Sequence, residues 1–237
     1  MKQVLHKADS RGLADCGWLL SRHTFSFADY YDPERMGFGL LRVLNDDIVK
    51  PAMGFGTHPH ENMEIVSIPL SGSLRHQDSM GNKHVIAAGE VQVMSAGSGI
   101  THSEYNNSEQ EEVNFLQIWV HPKERNIAPR YGQLRFDPHG QKNRFQILVA
   151  PEKNAEAIWI NQDAWFSLAM LDVGSELCYR KQRLENGVYF FVISGALTIA
   201  GQSLEARDGL GICSDDELIV QAAGPVELLV IEVPMNR

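Results

Sequence analysis

The sequence predicts an all-β protein of antiparallel strands arranged as a sandwich or barrel, and three observations carry that prediction. Turn signals recur about every ten residues, as at Ser71-Gly72-Ser73, Asp78-Ser79-Met80-Gly81-Asn82-Lys83 and Ala88-Gly89-Glu90. Between them stand short alternating runs rich in β-branched residues, with no helical periodicity to interrupt them. The second half also repeats the layout of the first. Val188 to Leu197 parallels Met63 to Leu74, and Arg207 to Ile212 parallels Ala88 to Val93. The turn glycines Gly72 and Gly89 answer Gly195 and Gly209, a difference in spacing that one turn absorbs, so the chain reads as an internal duplication.

Taken in order, residues 1–47 are irregularly patterned and rich in aromatics, notably Trp18 and the run from His23 to Pro33. Phe25 and Phe27 share a strand parity that suits packing one face on a core. Phe38 to Leu44 is an apolar strand that Asn45-Asp46-Asp47 closes as a turn. Ile65 to Leu70, Val85 to Ala87 and Val91 to Met94 are further strands. In the run from Glu112 to Val120 both parities are apolar, as expected of a strand covered on each side. Residues 121–140 break the pattern with Pro122, Pro129 and Pro138 and form the candidate linker with a short helical turn. The domains are therefore expected at 1–137 and 138–237.

A chain of 237 residues can bury one large core or two smaller ones. Its net charge of -9, with no Lys/Arg cluster, disfavours direct contact with nucleic acid or an anionic membrane. No apolar run is long enough to span a bilayer, and the first residues lack a signal-peptide core, so a cytoplasmic location is expected. Cys16, Cys178 and Cys213 are odd in number and far apart, which points to free thiols in a reducing compartment.

The chemistry lies in two short stretches: Thr57-His58-Pro59-His60 and, some forty residues on, Thr101-His102-Ser103-Glu104 behind the turn Gly97-Ser98-Gly99. Residues two apart on a strand point the same way, so each stretch offers a same-face pair. If the two strands are neighbours, three imidazoles and a carboxylate converge as a metal site. The second half carries no such pairs: Arg183 and Glu185 stand where the repeat would place His58 and His60. Only the first copy can therefore hold a metal.

These residues, with His23-Thr24-Phe25-Ser26-Phe27, Tyr31-Asp32-Pro33, Ser95-Ala96-Gly97-Ser98-Gly99-Ile100 and Gln117-Ile118-Trp119, resemble the pirin family of bicupins, and closely its bacterial quercetin 2,3-dioxygenase members. The resemblance implies two face-to-face antiparallel β-barrels of jelly-roll type (double-stranded β-helices), the first holding one metal on His58, His60, His102 and Glu104. A general cupin would draw its carboxylate from Glu64, which lies roughly 13 Å from His60 along an extended strand. Pirins draw it from the His-x-Glu position, which makes Glu104 the ligand, Glu64 and Asn106 outer groups, and Ser95 a replacement for the usual proline. The ligand types suit Fe(II), expected first, or Ni(II), Mn(II), Cu(II) or Zn(II). The implied activity is dioxygenation of quercetin-like flavonols by O2 with release of CO, with Glu104 as the catalytic base. The alternative is a metal-dependent redox sensor that binds a regulatory protein partner. A monomer is expected. His76 is a candidate for the barrel lining, His23 for a structural role, and His84, His121 and His139 for the surface, while His6 has no evident partner.

Overall fold

Alternating runs punctuated by glycine turns leave the chain no room for a long helix, and the computed structural model is built of strands. It describes residues 3–153, 156–213 and 217–236. The first half contributes β1 (Gln3–His6), β2 (Gly12–Asp15), β3 (Leu19–His23), β4 (Leu41–Val49), β5 (Gly54–His60), β6 (Glu64–Ser71), β7 (Ser73–Asp78), β8 (Lys83–Ala87), β9 (Glu90–Ser95), β10 (Ile100–Asn106), β11 (Val113–Val120) and β12 (Arg130–Arg135). The second contributes β13 (Gln146–Ala150), β14 (Ile158–Trp159), β15 (Trp165–Leu171), β16 (Glu176–Arg180), β17 (Asn186–Ser194), β18 (Ala196–Ile199), β19 (Gln202–Glu205), β20 (Gly209–Ile212), β21 (Glu217–Ala222) and β22 (Val226–Pro234). Short 3-10 turns lie at Ala8–Ser10 and Pro138–Gln141. No helix among the described residues is long and apolar enough to cross a membrane.

The strands form two barrels of one topology. In the first, a seven-stranded sheet ordered β12-β9-β6-β11-β4-β3-β2 faces a four-stranded sheet ordered β5-β10-β7-β8. In the second, β1-β20-β17-β22-β15-β13-β14 faces β16-β21-β18-β19. The duplication is explicit in the central strands and differs at one edge, where β2 pairs antiparallel with β3 but β14 runs parallel to β13. One strand crosses over: β1 pairs with β20, so the first residues described complete the second barrel. His6, for which the sequence showed no partner, is buried there with its Nδ1 2.8 Å from the Tyr189 hydroxyl.

Strand alternation divides the cores. Val66, Ile68, Leu116 and Ile118 of the first large sheet pack against Phe166, Leu168, Phe191, Leu229 and Ile231 of the second, forming one cluster between the barrels. Each such side chain, fully buried, contributes about 1.5–3 kcal/mol. Inside the second barrel the filling is continuous, from Val188, Phe190 and Val230 to Leu218 and Val220. Among the described residues, the first barrel holds two small apolar clusters, around Phe115 and around Met94. Polar side chains occupy the space between them.

Several expectations are corrected. Asn45, Asp46 and Asp47 do not turn: β4 runs straight through them. Their side chains are bonded within the fold, Asp47 to Ser21 and Asp46 to Asn114, which removes the need for a solvent-facing turn. Phe25 and Phe27 lie outside any strand, with Phe25 in the inter-barrel cluster. The proline-rich stretch contains β12 as well as the helical turn. The counterparts of the first barrel's histidine strands are β16 and β21, whose inward residues are apolar. Arg183 and Glu185 lie in the connection between β16 and β17.

Glu64 is also re-placed, because alternation along β6 turns it with Val66 toward the second barrel. Its Oε2 accepts from the Ser95 hydroxyl at 2.8 Å and from the main-chain N–H of Asn161 at 3.1 Å. It bridges the barrels and does not face the histidines. Burial raises its pKa from 4.5 to about 7. A carboxyl whose folded pKa lies above its unfolded value stabilises the fold at low pH and loses that contribution as pH rises through the folded value. The wild type is therefore expected to lose up to about 3 kcal/mol relative to Glu64→Gln as pH rises from about 4.5 to 8. Urea unfolding at several pH values measures this difference, and parallel curves for the two proteins would contradict it.

Candidate metal centre

The register between β5 and β10 sets the site. His102 lies directly across from His58, and Ile100 across from His60. On its other edge β10 pairs with β7, with His76 opposite Glu104 and Asp78 opposite His102. The turn before β10 needs its glycine. Gly97 has φ +48°, and a Cβ there would sit 2.1 Å from the Ile127 carbonyl oxygen.

Alternation then brings the expected rings together. His58 Nε2 and His102 Nε2 are 3.1 Å apart, and the His60 ring centroid lies 4.8 Å and 4.9 Å from those of His58 and His102. The ligand atoms of His58, His60 and His102 all lie within 4.8 Å of one another, as do those of a second set, His76, His102 and Glu104. His102 belongs to both sets, and Glu104 enters through the second. Two nitrogens bound to one ion at about 2.0–2.1 Å stand about 3 Å apart, so the His58–His102 separation fits a shared divalent ion.

The protonation states fit as well. His58 Nδ1 donates to the Gly56 carbonyl at 2.8 Å, leaving Nε2 free. Burial, reinforced by neighbouring imidazoles, lowers the pKa of His60 to about 4 and that of His102 to about 2, which keeps both neutral and able to ligate. Glu104 is fully buried, and burial raises its pKa to about 7. Its carboxyl accepts from the Ser67 hydroxyl at 3.2 Å and from Gln117 Nε2 at 2.9 Å.

A cavity of about 620 Å³ opens beside His58 and His60, within the size range of small-molecule sites. Phe27, Tyr30, Phe55 and Trp119 supply aromatic wall, while Asn45, Asp47 and Gln117 supply polar groups. Trp119 meets Phe27 edge-on at 5.3 Å and His60 edge-on at 5.0 Å. His23, read as structural, also lines this cavity. Asn106 is not near the rings: its Nδ2 donates to the carbonyls of Val49 and Glu111 and holds a turn. His84, placed at the surface by the sequence, is exposed there and stacks on Tyr131 with ring centroids 4.9 Å apart. Asn45 and Asp47 were missed because their run of polar residues mimics a turn. The usable signal was the strand parity that Asn45 and Asp47 share with each other along β4.

Comparison with known proteins agrees with this architecture. The Pirin family profile matches residues 5–120, and that of the quercetinase C-terminal cupin domain matches residues 147–233. The chain is 44% identical over 231 residues to a quercetin 2,3-dioxygenase of Escherichia coli K12, covering 97% of this chain and 98% of that protein. It is 41% identical over 225 residues to a pirin-like protein of Caulobacter vibrioides, covering 94% and 96%. Among solved structures, the bacterial pirin YhhW of Escherichia coli in complex with nickel(II) superposes with a TM-score of 0.93 at 42% identity, covering 98% of this chain and 99% of that one. Near-complete coverage at this identity, joined to the shared two-barrel topology, means that the chain belongs to the pirin family and lies among its quercetinase-related bicupins.

Proposed function

We propose that the chain holds one divalent transition metal on His58, His60, His102 and Glu104 and uses it to dioxygenate flavonols of the quercetin type, opening the heterocyclic ring with O2 and releasing CO. One observation carries this reading: converging imidazoles stand at the edge of an aromatic-walled cavity large enough for a small planar substrate. Fe(II) and Ni(II) both suit the donor set, and the nickel complex of the related pirin supports the second. When bound, the metal supplies Lewis acidity that makes a substrate hydroxyl more acidic.

The remaining steps belong to the chain's own residues. Trp119 and Phe27 offer flat and edge-on aromatic contacts to a planar ring system. His58 and His60 border the cavity and fix where the substrate hydroxyl must lie. Glu104 would receive the hydroxyl proton of a bound substrate on its carboxylate. Its raised pKa, about 7, matches a base working near neutral pH. Ser67 and Gln117 hold that carboxyl in place before and after the transfer. The aromatic-walled cavity beside the imidazoles favours this enzymatic reading over a regulatory protein that would use the metal as a redox sensor.

Elemental analysis of protein purified without chelator is expected to find one metal per chain in the wild type and little in His60→Ala. The wild type should then consume oxygen and bleach quercetin absorbance, and His60→Ala should do neither. A wild type that takes up no metal under any loading condition defeats the proposal. A second test bears on the base: Glu104→Gln should lower turnover by about 100-fold or more while flavonol binding, followed by fluorescence quenching under anaerobic conditions, stays within a few-fold. Unchanged turnover removes Glu104 from proton transfer.

A further inference from the structure

The two nitrogens of the His102 ring have different neighbours. Nε2 faces His58 Nε2 at 3.1 Å, while Nδ1 lies 3.5 Å from Nδ1 of His76. His76 is fully buried on β7, and its own Nε2 lies 3.1 Å from Asp78 Oδ2. Asp78 is held by the turn that follows it. Its Oδ1 accepts from the main-chain N–H groups of Met80 and Asn82, each at 3.0 Å, and its Oδ2 accepts from Asn82 Nδ2 at 2.8 Å.

An ionised carboxylate so engaged can only accept, so the network assigns the proton of His76 to Nε2. That leaves the lone pair of His76 on Nδ1. Two donors stand around it: Gln92 Nε2 at 3.4 Å and His102 Nδ1 at 3.5 Å. The proton of His102 accordingly sits on Nδ1 and points at His76, and its lone pair on Nε2 is turned toward His58. The same reasoning applies to His58, whose Nδ1–H is committed to the Gly56 carbonyl. Two imidazole lone pairs thus face one another across 3.1 Å, an arrangement that repels by itself and is completed by a cation.

We propose that His76 and Asp78 are positioning residues that set the tautomer and orientation of His102, forming a carboxylate–imidazole–imidazole chain that ends on the metal. In metal sites generally the carboxylate or carbonyl touches the ligating histidine directly and raises its basicity. Here His76 stands between them and transmits both the orientation and the negative charge. His76 does not itself touch substrate, and Gln92 holds it from the facing sheet. The inference rests on the metal reading above.

The test uses the full-length protein with Zn(II) alone as probe, in competition with a chromogenic chelator. His76→Leu removes both hydrogen bonds at similar size and should bind Zn(II) about 10- to 100-fold more weakly than the wild type. His76→Gln can still donate to Asp78 and accept from His102, and it should restore most of that loss. Visible spectra of the Co(II)-loaded proteins should follow the same order, shifted for Leu and close to wild type for Gln. In the metal-free wild type, nitrogen-15 spectra of the imidazoles should show His102 protonated at Nδ1 and His76 at Nε2. A folded His76→Leu with wild-type Zn(II) affinity overturns the inference, and so does a metal-free His102 protonated at Nε2. If His76→Leu does not fold, the wild-type imidazole spectrum decides alone. A wild type that binds no metal counts against the proposed function, and the imidazole spectrum still reads the chain of hydrogen bonds.

Discussion

Gln92, Ser67, Gln117, Asn45 and His23 stand side by side across five strands of the first barrel's large sheet, in register and all buried. A buried polar group left without a partner costs roughly 1–3 kcal/mol, so such a row survives only if the structure around it supplies partners. Gln117 and Ser67 donate to Glu104, and Gln92 reaches His76. The facing four-stranded sheet, which carries Glu104 and His76, is therefore tied to the row by hydrogen bonds where an ordinary barrel would be tied by apolar packing. Farther along, Asn45 Oδ1 and His23 Nδ1 have no hydrogen-bond partner among the described residues, and both residues line the cavity. The row thus passes from the ligand side of the barrel to the substrate side.

The second barrel shows what the same topology becomes without this demand. Its corresponding row is Leu210, Phe190, Val230 and Ser167, and its interior is filled by aliphatic and aromatic side chains. Its buried Glu232 is engaged by Tyr179, Asn186 and the main-chain N–H groups of Gln182 and Arg183. That arrangement fixes a loop and leaves no open valence for a ligand. The packed barrel in turn supports the polar one, since the cluster between the large sheets draws on both. Crossing of β1 into the second barrel, and the ion pair of Lys7 with Asp208, tie the two halves further.

Much of this was legible in the sequence because it depends on parity alone. His58 with His60 and His102 with Glu104 could be paired by strand alternation, and the two apolar faces of β11 announced a strand covered on both sides. Residues that depend on distant partners were not legible. Asn45 and Asp47 look like a turn until Ser21 and the cavity are seen beside them. His6 meets Tyr189 only because the first strand joins the second barrel. His76 was legible as a residue lining the barrel but not in its role, since Gln92 and His102 lie on other strands.

Glu64 and Glu104 show why a perturbed carboxyl does not by itself mark a site. Burial pushes both to about 7, and each accepts a serine hydroxyl hydrogen bond. They lie on opposite sides of the first barrel's large sheet: Glu64, on β6, turns to the second barrel, and Glu104, on β10 of the facing sheet, contacts the inner row. Glu64 reaches a main-chain N–H of the other barrel, where its carboxyl ties the two barrels together. Glu104 lies within ligand distance of His76 and His102, where the same raised affinity for a proton becomes useful to a reaction. Sequence proximity to the first histidine pair would select Glu64. A reversal of face at β6 sets it aside, and the register of β10 against β5 and β7 leaves Glu104 as the carboxyl that shares its space with the imidazoles.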